Sequence, residues 1–180
     1  MFKKFLLLAS AGLMAIGPAV AAEKVKIGFV TTITTPAGVI GKDMVDAVKL
    51  AMEDIDGKMA GLDVELIVED DGFKPAIGKQ KTDKLVKQDK VQFVTGFIWS
   101  HVLLASQKSA LGAGKFLISS NAGPSQMAGK LCHKNFFSTS WQNDQTPMAM
   151  GEVLNLNNVK SLYVMAPNYA AGKNMVAGVT

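Results

Sequence analysis

The sequence has 180 residues, room for one packed domain and part of another, and its 48% hydrophobic and 19% charged composition excludes wholesale disorder and a polytopic membrane protein. The formal charge is +4, and all 19 basic residues are lysines. Without a guanidinium the chain has no bidentate fork for phosphates or base edges, so nucleic acid is not an expected partner.

In chain order, residues 1–21 read as a signal peptide rather than as part of a fold. Lys3 and Lys4 form a basic start, residues 5–16 an apolar stretch, and Ala19-Val20-Ala21 a small-x-small cleavage site that leaves Ala22 as the mature N-terminus. The apolar stretch is too short to span a bilayer, so export to the periplasm is the expectation.

Beyond the leader, strand-like and helix-like stretches alternate. Residues 25–30 predict a strand, followed by a Thr/Pro/Gly loop over 31–38. Ile40, Met44, Ala47, Val48, Ala51, Met52, Ile55 and Met59 recur at three- and four-residue steps, which predicts a helix ended by Gly57 and Gly61. Residues 64–68 predict a second strand closed by Glu69-Asp70-Asp71-Gly72. Pro75 suits the first turn of a helix running to about Gln88, whose lysines, interleaved with Asp83 and Asp89, read as a solvated face. Residues 91–95 predict a third strand, and Ser100 is placed to cap a helix over 101–111 that Gly112 and Gly114 terminate. Further strands are expected at 116–118, 135–138 and 161–166. A helix opened by Asp144 or Thr146 should run to about Leu156, and another should begin after Gly172.

This alternation predicts an α/β fold with a parallel sheet flanked by helices. In such sheets the crevice lies outside the carboxyl ends of the strands, which groups the loops 31–38, 70–73, 96–100 and 119–125.

Catalytic and metal motifs fail on inspection. Gly112-Ala113-Gly114-Lys115 lacks the earlier glycine of a phosphate loop and has Phe116 where Ser or Thr is required. Ser100 and His101 are helix neighbours about 100 degrees apart and cannot face one another. Two histidines and one cysteine are too few for a recognisable metal site, and no cofactor is expected. Asp70 and Asp71 suit a turn better than a metal. Cys132 reads either as a buried structural thiol or as half of a disulfide completed by sequence beyond this chain. The chain is not expected to be an enzyme.

The loops carry a more specific likeness. Thr35-Pro36 with Gly41, the Asp70-Asp71 pair, Gly96-Phe97-Ile98-Trp99-Ser100 and Ile118-Ser119-Ser120-Asn121-Ala122-Gly123-Pro124-Ser125 follow in order. Phe137-Ser138-Thr139-Ser140-Trp141-Gln142-Asn143-Asp144 and Pro167-Asn168-Tyr169-Ala170-Ala171-Gly172 complete the series. From Val25 onward this resembles the type I periplasmic solute-binding proteins of the Leu/Ile/Val-binding family, the substrate-binding components of ABC transporters.

The resemblance implies a two-lobed clamp, with a first lobe over residues 22–140 and the crossover and start of a second lobe over 141–180, where the chain stops partway. It implies that Ser100 contacts a ligand carboxylate, that Asn121 and Gly123 hold the ligand's polar end, and that Tyr169 reaches over from the second lobe. Ser119, Ser120 and Ser125 are weaker candidates that suit turn hydrogen bonding equally well. A serine at a helix N-terminus offers a hydroxyl, free N–H groups and a favourable dipole, a route to an anion that needs no arginine.

Relatives in the family often carry threonine where Gly123 stands, can carry an aromatic where Ile40 stands, and in some cases have a disulfide pair at the positions of Phe73 and Trp99. The two rings are expected to pack on each other, with ligand stacking by Trp99 as the alternative. The implied function is an exported, monomeric binding protein that delivers a small hydrophobic amino acid or related carboxylate to a membrane permease. The alternatives are an aromatic carboxylate ligand, or a sensor module on the same fold.

Overall fold

The computed structural model describes residues 24–180, so the expected leader lies outside the described residues. Strands β1 (Val25–Thr31), β2 (Lys58–Met59), β3 (Leu62–Asp70), β4 (Phe93–Gly96), β5 (Phe116–Ser119) and β6 (Phe136–Ser138) form one sheet in the order β2-β3-β1-β4-β5-β6. All pairings are parallel except the short β2–β3 hairpin. The strands alternate with helices α1 (Gly38–Asp54), α2 (Pro75–Lys87), α3 (Ser100–Leu111), α4 (Ser125–Ala128), α5 (Gln145–Leu156) and α6 (Ala170–Val179). The α/β fold and its parallel sheet are therefore as the sequence predicts.

The core follows from the apolar runs. Val30, Val94 and Leu117 on neighbouring central strands are fully buried, together with Leu85 of α2 and Val102 and Leu103 of α3. Near-continuous apolar strands of this kind are what a parallel sheet with covered faces requires. The chain crosses from β3, past β1, to β4, so the connections leaving β1 and β4 diverge to opposite sides. That divergence opens a crevice at the carboxyl ends of the two strands.

Four expectations are corrected. First, α1 ends at Asp54, so Ile55 and Met59 lie outside it. Asp56 and Gly57 both adopt positive φ, and Lys58–Met59 pairs back on β3 through a two-residue turn in which Ala60 and Gly61 are also left-handed. Second, Ser100 is the first residue of α3 rather than its cap; Trp99 holds the cap position and no side chain caps the helix. Third, residues 161–166 form no strand, because no partner pairs with them among the described residues, and Tyr163 and Met165 stand 90% and 87% exposed. Fourth, Cys132 is exposed and free, which removes the buried-thiol reading.

Candidate functional site

The four loops grouped by topology meet at the carboxyl end of the sheet. Gly96 closes β4 with φ 99°, and a Cβ there would lie 2.3 Å from Val30 O, so only glycine lets the strand end turn this tightly against β1. Phe97, also left-handed at φ 64° and fully buried, donates its N–H to Val30 O at 2.6 Å. This turn throws Trp99 across the switch point, where its Nε1–H donates to Thr32 Oγ1 at 2.8 Å. The loop after β5 docks on the same turn. Ser120 and Ala122 donate their N–H groups to Gly96 O and Phe97 O, and Asn121 Nδ2 donates to Ile98 O at 2.9 Å. The turns bearing Ser100 and Asn121 thus share one end of the sheet.

An aromatic group stands beside them. Trp99 packs edge-on against Phe73, with ring centroids 4.7 Å apart, as its sequence position predicts. His101 lies 4.9 Å from Phe73 and 5.2 Å from Tyr169, and Tyr169 lies 6.1 Å from Trp99. Such edge-to-face contacts add about 0.5–1.5 kcal/mol each beyond the area they bury. Burial raises the pKa of the Tyr169 hydroxyl, so it stays a neutral donor.

The paired aspartates hold the loops in place. Asp70 accepts hydrogen bonds from the N–H groups of Ile33 and Gly72 at 2.9 Å and from Thr34 Oγ1 at 2.5 Å. Burial works against its charge, but the Thr34 hydroxyl and these N–H donors outweigh burial and hold its pKa low. Asp71 is fully buried; its Oδ1 accepts from Thr32 Oγ1 and from the Phe73 N–H, and its Oδ2 has no partner among the described residues. Here burial wins and raises the pKa. The Phe73 contact fixes that residue at φ 66° and so aims its ring at Trp99.

Ser100 is 2% exposed, and its Oγ accepts a hydrogen bond from Asn143 Nδ2 at 2.9 Å. The N–H groups of Ser100 and His101, at the open end of α3, meet no acceptor among the described residues. Gly123 is buried behind Ser100: its carbonyl accepts the Asn143 N–H at 2.8 Å, and a Cβ would fall 2.0 Å from Trp141 O. The Ser119 and Ser120 hydroxyls are spent on turn carbonyls, those of Ala122 and Gly96.

Ser100, Asn121, Trp99 and Tyr169 are therefore brought to one cluster, while Gly123 serves as its backing. Asn143 lies in the 137–144 motif with no role legible there, and no motif includes Asn174, whose Oδ1 accepts from Asn143 Nδ2 and the Ser125 N–H at 3.3 Å each. Nothing in the local pattern marks either asparagine, because both act through partners distant in sequence. Among the described residues no group of His, Cys, Asp and Glu is arranged for a metal. An open depression of about 460 Å³ lies elsewhere, lined by Met150, Leu154, Tyr163, Met165, Met175 and Val179 among others. Its mostly apolar walls carry no charged group to hold an anion, so the polar loops are the better candidate site.

A periplasmic binding protein family model matches residues 24–180. No curated protein sequence matches the chain. Among solved structures, the chain is similar to a solute-binding protein of an ABC transporter from Rhodopseudomonas palustris BisB5 in complex with 3,4-dihydroxybenzoic acid. Identity is 26% over 87% of this chain and 42% of that one, with a TM-score of 0.79. A second R. palustris solute-binding protein, in complex with benzoate, is 27% identical over 87% of this chain and 44% of that one, with a TM-score of 0.81. The substrate-binding protein of a branched-chain amino acid transporter from Streptococcus pneumoniae, in complex with isoleucine, shares the fold at 22% identity and a TM-score of 0.71, over 87% of this chain and 45% of that one. The chain spans less than half the length of each.

Proposed function

The chain belongs to the periplasmic binding protein family, and from that premise we propose that it is the ligand-capturing part of an ABC transporter's exported binding protein. Residues 1–21 direct export, residues 22–140 form the first lobe, and residues 141–180 begin the second. The ligand is a small hydrophobic carboxylate, handed on to a membrane permease. Ser100, Asn121 and Tyr169 supply uncharged donors, Trp99 supplies an apolar wall, and Gly123 supplies backbone.

The observation that carries this reading is the convergence of free N–H groups at the start of α3 with an aromatic wall on one crevice. The Ser100 and His101 amides and the helix dipole suit an anion, and the Phe73, Trp99 and Tyr169 rings suit a flat apolar body. An aromatic acid is favoured over an amino acid. Gly123 brings no hydroxyl for an ammonium group, and the crossover backbone fills the space where one would stand. The two R. palustris relatives, solved with 3,4-dihydroxybenzoic acid and benzoate, support the same choice.

Calorimetry on the intact protein with benzoate, 3,4-dihydroxybenzoate, leucine and isoleucine tests this. Saturable binding of the benzoates, weakened in Ser100→Ala by about 1–3 kcal/mol, is the expected result. Tighter binding of leucine or isoleucine would replace the aromatic assignment. Failure of all four acids to bind would remove the transport role.

A further inference from the structure

Asn143 sits at 6% exposure where three segments meet. Its backbone N–H donates to Gly123 O in the loop after β5, and its Nδ2 donates to Ser100 Oγ on α3 and to Asn174 Oδ1 on α6. Asn174 Oδ1 also takes the Ser125 N–H, so the amide edges are ordered from both sides. A hydroxyl has one proton and two acceptor lone pairs. At Ser100 one lone pair is occupied by the Asn143 amide, and a group that donates cannot also receive the serine proton.

We infer that Asn143 is a positioning residue that fixes Ser100 as a hydrogen-bond donor toward a ligand group able only to accept, an ionised carboxylate. The inference rests on the carboxylate-binding reading and deepens it. The Ser100 hydroxyl then points its proton to the same side as the N–H groups of Ser100 and His101, and three neutral donors converge on one anion. An amide achieves this without a charge. A carboxylate in its place would accept the serine proton and set a negative charge one hydroxyl away from the ligand, reversing both effects.

Asn143→Asp in the intact protein tests the idea, with benzoate and its neutral amide, benzamide, as probes. At about pH 8 the variant should lose roughly 10- to 100-fold in benzoate affinity and much less for benzamide. Lowering the pH to about 5.5 should restore benzoate binding, because a buried aspartic acid reprotonates above its ordinary range and its O–H again donates to Ser100 Oγ. The titratable and charged groups on the elements around the pair are His101 on α3 with Asp71 near it, Tyr169 and Lys173 at the start of α6, and Asp144 next to Asn143. All are common to wild type and variant, so the difference between the two profiles isolates position 143.

A second variant, Asn143→Ala, removes the donor without adding charge; it should bind benzoate more weakly with the wild-type pH profile. Equal losses for benzoate and benzamide at both pH values, or unchanged benzoate affinity in either variant, would overturn the positioning role while leaving wild-type carboxylate binding intact. A wild type that binds no acid of the panel overturns the transport reading and this inference together.

Discussion

Gly123 separates packing from binding at the level of one atom. The crossover backbone passes so close that a Cβ would fall 2.0 Å from Trp141 O and 3.2 Å from Gln142 Cα, and backbone cannot step aside as a flexible side chain can. Gly123→Thr is therefore expected to destabilise the protein by about 1–3 kcal/mol, the scale of an overpacked core, without creating affinity for leucine. Urea denaturation with a parallel leucine titration checks both halves, and a stable variant that gains leucine binding would show that the site yields. At this scale the sequence exposed the residues whose type alone is informative. Ser100 opening a helix, Trp99 opposite Phe73 and the serine-rich loop at 119–125 were readable. The Asn143–Asn174–Ser100 network was not, because its members lie 31 and 43 residues apart and nothing periodic connects them.

Between elements, β3 and α2 are joined by one acid. Glu69 is 8% exposed, and its two oxygens meet Lys81 Nζ and Lys84 Nζ at 2.7 Å each; Lys84 also reaches Asp89. Burial opposes the charge on Glu69, yet the two lysine hydrogen bonds overcome it and lower the pKa. A carboxylate with a depressed folded pKa stabilises above its unfolded value, and that stability disappears as the pH falls through the folded value. Because both lysines are partly solvated, Glu69→Gln should cost about 1–2 kcal/mol near pH 7, less than a fully buried pair. The gap between variant and wild type should close below about pH 4. Denaturation curves at both pH values decide it, and a gap that persists in acid would mean that the glutamate acts by shape alone. The lysines of this stretch looked like a merely solvated face in sequence; what they pair with across the sheet edge was invisible there. Strand positions, by contrast, were readable almost throughout, since a strand covered on both faces is an apolar run bounded by turns. The exception at 161–166 is instructive. Apolar pattern supplies the propensity for a strand, but only a neighbouring strand supplies the hydrogen bonds that make one.

Across the whole molecule, packing is uneven in a way that the helical pattern alone conceals. Helix α3 buries Ser100, Val102, Leu103, Ser106, Ala110 and Leu111, whereas α5, of the same length, buries none. Leu156, Met148, Met150 and Val153 on α5 all face outward, and α5 finds its main neighbour in α6. A helix of this length is marginal in water without tertiary support, because nucleation is costly and most helical stability comes from a buried face. The region after residue 144 is tied to the sheet and α3 chiefly through α6, by the Asn143–Asn174 bond and the Tyr169 contacts with Trp99 and His101. Local opening of α5 should therefore cost less than opening of α3, by about 2 kcal/mol or more. Native-state hydrogen exchange on the 180-residue chain reads this directly: α3 amides should exchange only on global unfolding, and α5 amides by local opening well before it. Equal protection in the two helices would mean that the exposed face of α5 is covered in solution. The candidate site itself stands on the protected side of this divide, since Ser100, Trp99 and Asn121 all belong to the sheet's carboxyl end. The groups proposed to grip a ligand are thus expected to stand on the more stable part of the chain, with Tyr169 and the asparagine pair reaching across to them from the less stable part.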